Sequence, residues 1–117
     1  MARRILKKSI HWAKLDPTVG TEQAGTRPVL VVSIDSFNQN SNSVIALAIT
    51  SKKPKVKYPL VFKLSDSLLP KPSWVKITQI RTLSVERLGS FIAAIDDEQF
   101  EQIMSGFNRL CGYQPKV

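Results

Sequence analysis

Apolar and polar positions along the chain fall into a series of short runs with period two, followed by one long run with the helical period. Ser9-Ile10-His11-Trp12-Ala13-Lys14-Leu15 alternates well enough for a half-buried strand, with Ile10, Trp12 and Ala13 facing inward. Asp16-Pro17-Thr18 ends it, because proline cannot donate to a ladder and aspartate starts turns. A loop from Val19 to Pro28 follows. Val29 to Ile34 and Val44 to Thr50 are apolar on both faces, as central, fully covered strands are. The stretch between them, Asp35 to Ser43, has turn composition throughout, with Phe37 tucked back on the core.

The second half continues in the same way. Lys52 to Pro59 holds four lysines and two prolines and reads as an exposed loop. Leu60 to Leu64 resumes as a strand, Ser65 to Ser73 is a proline-punctuated loop, and Trp74 to Ile80 is the next strand, closed by Arg81-Thr82. Its period of two puts Lys76 and Thr78 on one face and Val75, Ile77 and Gln79 on the other. Ser84 to Leu88 is long enough for one helical turn before Gly89, and Phe91 to Ile95 makes a short last strand. The one long helix is the last element. Asp96, Asp97 and Glu98 sit at its positive end and Arg109 in its last turn. Phe100, Ile103, Met104, Phe107 and Leu110 form one core-facing stripe, and Gly112 is the stop. Five or six short strands and one terminal helix define a mainly β (α+β) fold, a small barrel.

A chain of 117 residues makes one domain, able to bury a core without staples. We divide the chain into a basic N-terminal arm (1–9), a single domain (10–112) and a tail (113–117). With one cysteine, Cys111, and one histidine, His11, neither an intrachain disulfide nor a Cys/His zinc site can be assembled. No apolar run approaches the roughly 18 residues that span a bilayer. The arm has the charge of a signal-peptide n-region without the apolar segment that would follow. A cytoplasmic protein is the expectation.

The net charge is +8, and it is unevenly placed. Between residues 51 and 81 lie Lys52, Lys53, Lys55, Lys57, Lys63, Lys71, Lys76 and Arg81, against Asp66 alone. Such a cationic field favours a polyanionic partner, with an affinity that falls steeply as salt rises.

Candidate chemistry gathers in Gly20-Thr21-Glu22-Gln23-Ala24-Gly25-Thr26-Arg27-Pro28, a glycine-punctuated loop carrying a carboxylate, an amide and a guanidinium to the mouth of a buried strand. Together with Leu15-Asp16-Pro17-Thr18 before it, the strand end Ile49-Thr50-Ser51, and Ser73-Trp74-Val75 leading into Gln79-Ile80-Arg81-Thr82-Leu83, this loop resembles the MazF/PemK (Kid) toxins. The motifs follow the family's order and spacing over nearly the whole chain. The resemblance implies an SH3-like barrel, a homodimer, and the toxin of a type II toxin–antitoxin pair. Such a toxin cuts single-stranded messenger RNA with neither metal nor cofactor and is neutralised by a small antitoxin laid across its RNA groove.

Metal-free RNA cleavage uses the neighbouring 2′-hydroxyl as nucleophile, so positioning and charge stabilisation carry most of the reaction. Arg27 presents a fork of donors to phosphate oxygens. The resemblance pairs it with Thr50 as the catalytic core, and Glu22 is the candidate base. Ser51, Gln79, Arg81, Lys76, Thr78 and Gln23 are candidates for holding RNA. Trp12, Trp74 and Phe37 could stack bases but read first as core. His11, a lone histidine without a partner, reads as an exposed strand residue beside Trp12. The chain departs from the Kid branch, where Thr78 is aspartate, Lys76 is arginine and Thr21 is histidine. Two alternatives therefore stand beside the ribonuclease: a non-cutting member that binds RNA or antitoxin, and a CcdB-like gyrase poison, which shares the fold.

Overall fold

The computed structural model describes residues 3–15 and 25–113. Six strands, β1 (Ser9–Leu15), β2 (Gly25–Val31), β3 (Ser43–Thr50), β4 (Val61–Lys63), β5 (Trp74–Ser84) and β6 (Leu88–Ala94), form one antiparallel sheet in the order β4-β5-β3-β2-β1-β6. The expected mainly β architecture is present, as an open sheet rather than a closed barrel. Two helices accompany it, not one: α1 (Asp35–Ser41) and α2 (Asp97–Cys111), with a 3-10 turn at Val85–Arg87.

The apolar runs of β2 and β3 sit mid-sheet and feed a core on each face, since successive side chains point to opposite sides. Val29, Val31, Val44 and Ala46 belong to a first core with Ala13, Leu15, Leu83 and Ile5. Leu30, Leu47 and Ile49 belong to a second with Ile10, Val75, Ile77 and Ile103. Helix α2 covers the second core. Its cap is as expected: Asp96 accepts from the Gln99 amide at 2.8 Å, and Gly112 takes the left-handed conformation at φ 69°. Ile103 is fully buried, whereas Leu110 leaves the stripe and is exposed.

Helix α1 is the main departure, since its residues read as turn. Asn38 explains it: its side chain is buried, and its Nδ2 donates to the Ile5 carbonyl at 2.9 Å and the Ser33 carbonyl at 3.2 Å, while its Oδ1 accepts from the Ser33 hydroxyl. The Asp35 carboxylate accepts from the Lys7 amide at 2.8 Å. Side chains that would compete with a helix in isolation are thus occupied by distant backbone. Because Asn38 takes the inward position, Phe37 is exposed rather than tucked on the core. The N-terminal segment is part of the same closure. Ile5 is buried, and the Arg3 guanidinium donates to the carbonyls of Leu88 and Gly89 at 2.6 and 2.7 Å.

Two further expectations are corrected on β1. Trp12 is exposed rather than inward. The β1–β6 ladder steps from His11↔Phe91 to Ala13↔Leu88, so Gly89 and Ser90 together stand opposite Trp12 in a bulge of β6. Gly89, expected to stop a turn, lies in β6 at this bulge, where a Cβ would come within 3.4 Å of the Trp12 Cβ. His11, expected to be exposed, is buried. Its ring nitrogens lie 3.1 Å from the Ser9 hydroxyl and 3.4 Å from the Gly89 carbonyl, and its ring meets Phe91 edge-on.

Strand β5 runs to Ser84, past the expected stop at Arg81-Thr82. Its register with β3 jumps from Leu47↔Ile80 to Ala48↔Lys76, so Ile77, Thr78 and Gln79 form a bulge. The Ile77 amide turns instead to the Leu60 carbonyl at 3.0 Å.

Candidate active site

Arg27 sits on β2, which begins at Gly25, rather than in a loop. The β2–β3 register pairs Val29 with Ala48. Carried two residues further, the same register sets Arg27 across from Thr50, and Thr50 in turn is paired with Trp74 on β5. Directly opposed residues share a face, with Cβ atoms about 5 Å apart. Arg27, Thr50 and Trp74 therefore form a row across three strands. Lys76 and Arg81, opposite Ala48 and Ala46, rise from the same face in the next two rows. The bulge puts both on that face: without it, residues five apart would point to opposite sides.

Local structure prepares the Thr50 hydroxyl. Its Oγ accepts from the Lys52 amide at 3.1 Å as the chain turns off β3, which leaves the hydroxyl proton to be donated elsewhere. Beside the row, a cleft of about 370 Å³ is lined by Trp12, Thr26, Arg27, Pro28, Ile49, Thr50 and Ile92 from the sheet, with Ser51, Leu69, Pro70, Lys71 and Ser73 closing it. Arg27, Thr50 and Ser51 are thus brought together in its wall. Thr78 stands exposed and Gln79 half-buried on the bulge, and neither lines this cleft. Glu22 and Gln23 lie outside the described residues.

The titration behaviour of one group near the sheet edge is altered. Burial pushes the His11 imidazole below its ordinary value of 6.5, opposed by the Gly89 carbonyl and reinforced by the Arg3 cation. His11 does not line the cleft.

Sequence reasoning missed the side chains that shape the cleft from the loop before β5. Ser73 opens a motif already singled out, but Leu69 and Pro70 read only as a proline-punctuated connection. The signal available was their position immediately before the Ser73-Trp74-Val75 motif.

Residues 7–111 match the family described as PemK-like, MazF-like toxin of type II toxin-antitoxin system. The chain is 34% identical over 101 residues to Endoribonuclease EndoA of Bacillus subtilis (strain 168), covering 85% of this chain and 87% of that protein. It superposes on the crystal structure of MazF from Deinococcus radiodurans with a TM-score of 0.83 at 24% identity, over 96% of this chain and 100% of that one. An endoribonuclease in complex with its cognate antitoxin from a mycobacterial species superposes with a TM-score of 0.75 at 20% identity, over 96% and 99%. The structural likenesses establish the fold. The chain belongs to the PemK/MazF family of type II toxin–antitoxin toxins.

Proposed function

We propose that this chain is the toxin of a type II toxin–antitoxin pair and acts as an endoribonuclease that cuts single-stranded messenger RNA at selected sequences without a metal. The observation that carries the site assignment is the apposition of Arg27 and Thr50 at the open ends of β2 and β3. The Arg27 fork and the Thr50 hydroxyl donate to the non-bridging oxygens of one phosphate, where negative charge builds in the pentacoordinate phosphorane. The substrate's 2′-oxygen gives up its proton, with Glu22 as the candidate base, and attacks phosphorus. The bond to the 5′-oxygen breaks, that oxygen takes a proton, and the products carry a 2′,3′-cyclic phosphate and a 5′-hydroxyl. Ser51, Lys76 and Arg81 hold the strand, with Gln79, Thr78 and Gln23 as further contacts.

The partners follow from the same reading: single-stranded RNA as substrate, a cognate antitoxin, and a second copy of the chain as a homodimer. Among the described residues no helix is long and apolar enough to cross a membrane. We place the protein in the cytoplasm.

A second reading, a member that binds without cutting, is favoured by one observation. Thr78, at the position where the Kid branch carries aspartate, is exposed on the bulge and offers no carboxylate. Lys76 keeps a cation one row from Thr50, which supports the cutting reading instead.

The deciding experiment is incubation of the purified protein with a long single-stranded RNA in EDTA, mapping the ends produced. Discrete cuts ending in 2′,3′-cyclic phosphate are expected, and Arg27→Ala is expected to lower cleavage at least a hundredfold with its fold intact, as loss of a charge-stabilising donor does. An Arg27→Ala protein cutting at the wild-type rate would refute the assignment. Intact RNA with salt-sensitive binding would select the non-cutting member.

A further inference from the structure

The row that starts at Arg27 does not stop at Trp74. Trp74 is paired on its other side with Lys63 of β4, so Arg27, Thr50, Trp74 and Lys63 cross four neighbouring strands in sequence. Strands are about 4.8 Å apart, which sets Trp74 roughly 10 Å from the β2 backbone along this row. There the edge strand and the loop before it enclose a second cleft of about 660 Å³. That lies within the range of small-ligand sites, about 300–1,000 Å³.

The lining of this cleft combines two residue types. Lys53, Lys55, Lys57 and Lys63 supply cations, and Tyr58, Phe62 and Trp74 supply rings. Among the described residues no carboxylate lines it. The rings are positioned: the Tyr58 hydroxyl donates to the Gln102 carbonyl at 2.7 Å, and Tyr58 and Phe62 meet edge to face with centroids 6.5 Å apart. Lys63 Nζ lies 6.0 Å from the centre of the Trp74 ring and 2.5 Å from Asp66, which restrains it beside the indole.

Lysines interleaved with aromatic rings are what an unpaired nucleic acid strand needs: cations for its phosphates and flat apolar faces for its bases. We propose that this cleft is a base-stacking subsite, in which Trp74 stacks a base next to the scissile phosphate while the loop lysines hold that nucleotide's phosphate. The occupant, single-stranded RNA, rests on the function proposed above. The subsite adds a reason for the lysine loop to follow directly on Thr50: a strand leaving the Arg27–Thr50 pair passes over Trp74 next.

The chain has two tryptophans, so a Trp12→Phe background leaves Trp74 as the single indole reporter. The probe is a short 2′-O-methyl RNA of mixed sequence, which cannot be cut, compared with an abasic strand of the same length. Quenching of Trp74 fluorescence by the base-bearing strand and not by the abasic one is the expected result. In the otherwise unaltered chain, Trp74→Leu should weaken binding of the base-bearing strand by about tenfold, with most of the affinity returned in Trp74→Phe. Equal responses to both strands would overturn stacking. A fluorescence response to an acidic peptide but to neither strand would overturn it in favour of a protein segment. Because the probe is not a substrate, the subsite is tested whether or not the protein cuts RNA. Quenching in a protein that leaves long RNA intact supports the subsite while the ribonuclease reading fails.

Discussion

Over the core that holds Val29, Val31 and Ala46, the closing elements are the N-terminal segment and α1, fastened by polar contacts: Asn38 to the Ile5 carbonyl, Arg3 to the end of β6, His11 against Ser9. Over the core that holds Leu30, Leu47 and Ile49, the closing element is α2, and the contribution is packing, with Ile103 at its centre. The two faces fail in different ways. An apolar closure weakens in proportion to the volume removed. A polar closure weakens when one partner is left buried without its bond, or when a group changes its protonation. The proposed catalytic row belongs to the polar side, since Arg27 shares its face with Val29 and Val31.

Ile103→Ala should cost the most, about 2–5 kcal/mol, by opening a cavity beneath α2. Asn38→Ala should cost less, about 1–3 kcal/mol, by stranding the Ile5 and Ser33 carbonyls. Urea midpoints of the two variants measure both. Asn38→Ala should also release the N-terminal segment, read as faster amide exchange at Lys8, whose amide donates to the Val31 carbonyl at 2.8 Å, while α2 keeps its protection.

Smaller still is the pH dependence that His11 gives the polar face. The His11 pKa is lowered on folding, so the unfolded chain binds the proton more readily. Stability is then fully present above about 6.5, falls as pH drops below it, and levels off once the lowered folded value is passed. Urea midpoints between pH 8 and pH 5 should show this decline, and His11→Gln should remove it. Asp97, held low by the Lys8 ammonium, acts in a separate window: its contribution is present above 3.8 and is lost only as pH falls further.

Much of this architecture was readable in the residues because it is local or periodic. The strand at 9–15, the buried run ending at Thr50, the turn after Ser84 and the capped last helix each carry their own signal. What was not readable depends on partners far along the chain. Asp35 to Ser41 becomes a helix because Ile5 and Lys7 occupy its polar side chains. Trp12 and His11 exchange their expected environments because His11 shares a face with Ala13 and Leu15, in the core that Ile5 and Leu88 complete, while Trp12 takes the other face. In the candidate site, Arg27 and Thr50 were legible as residue types, and their apposition follows from strand register. The lysine loop was legible as charge. Trp74 was legible as a ring able to stack a base; Tyr58 and Phe62 were not, because the three come together only when β4 pairs with β5.

The bulge at Ile77, Thr78 and Gln79 has a consequence for how such a chain can vary. Pairing with β3 is held on one side by Lys76, Val75 and Trp74 and on the other by Ile80 through Ser84, so the register does not depend on what stands between. Thr78 is exposed at the crest of that interruption. A different side chain there, an aspartate for example, alters what the surface offers to a substrate without moving a core residue. The fold thereby keeps a position next to the proposed catalytic row open to change, while the alanines one strand away, Ala46 and Ala48, are buried and cannot be changed so freely.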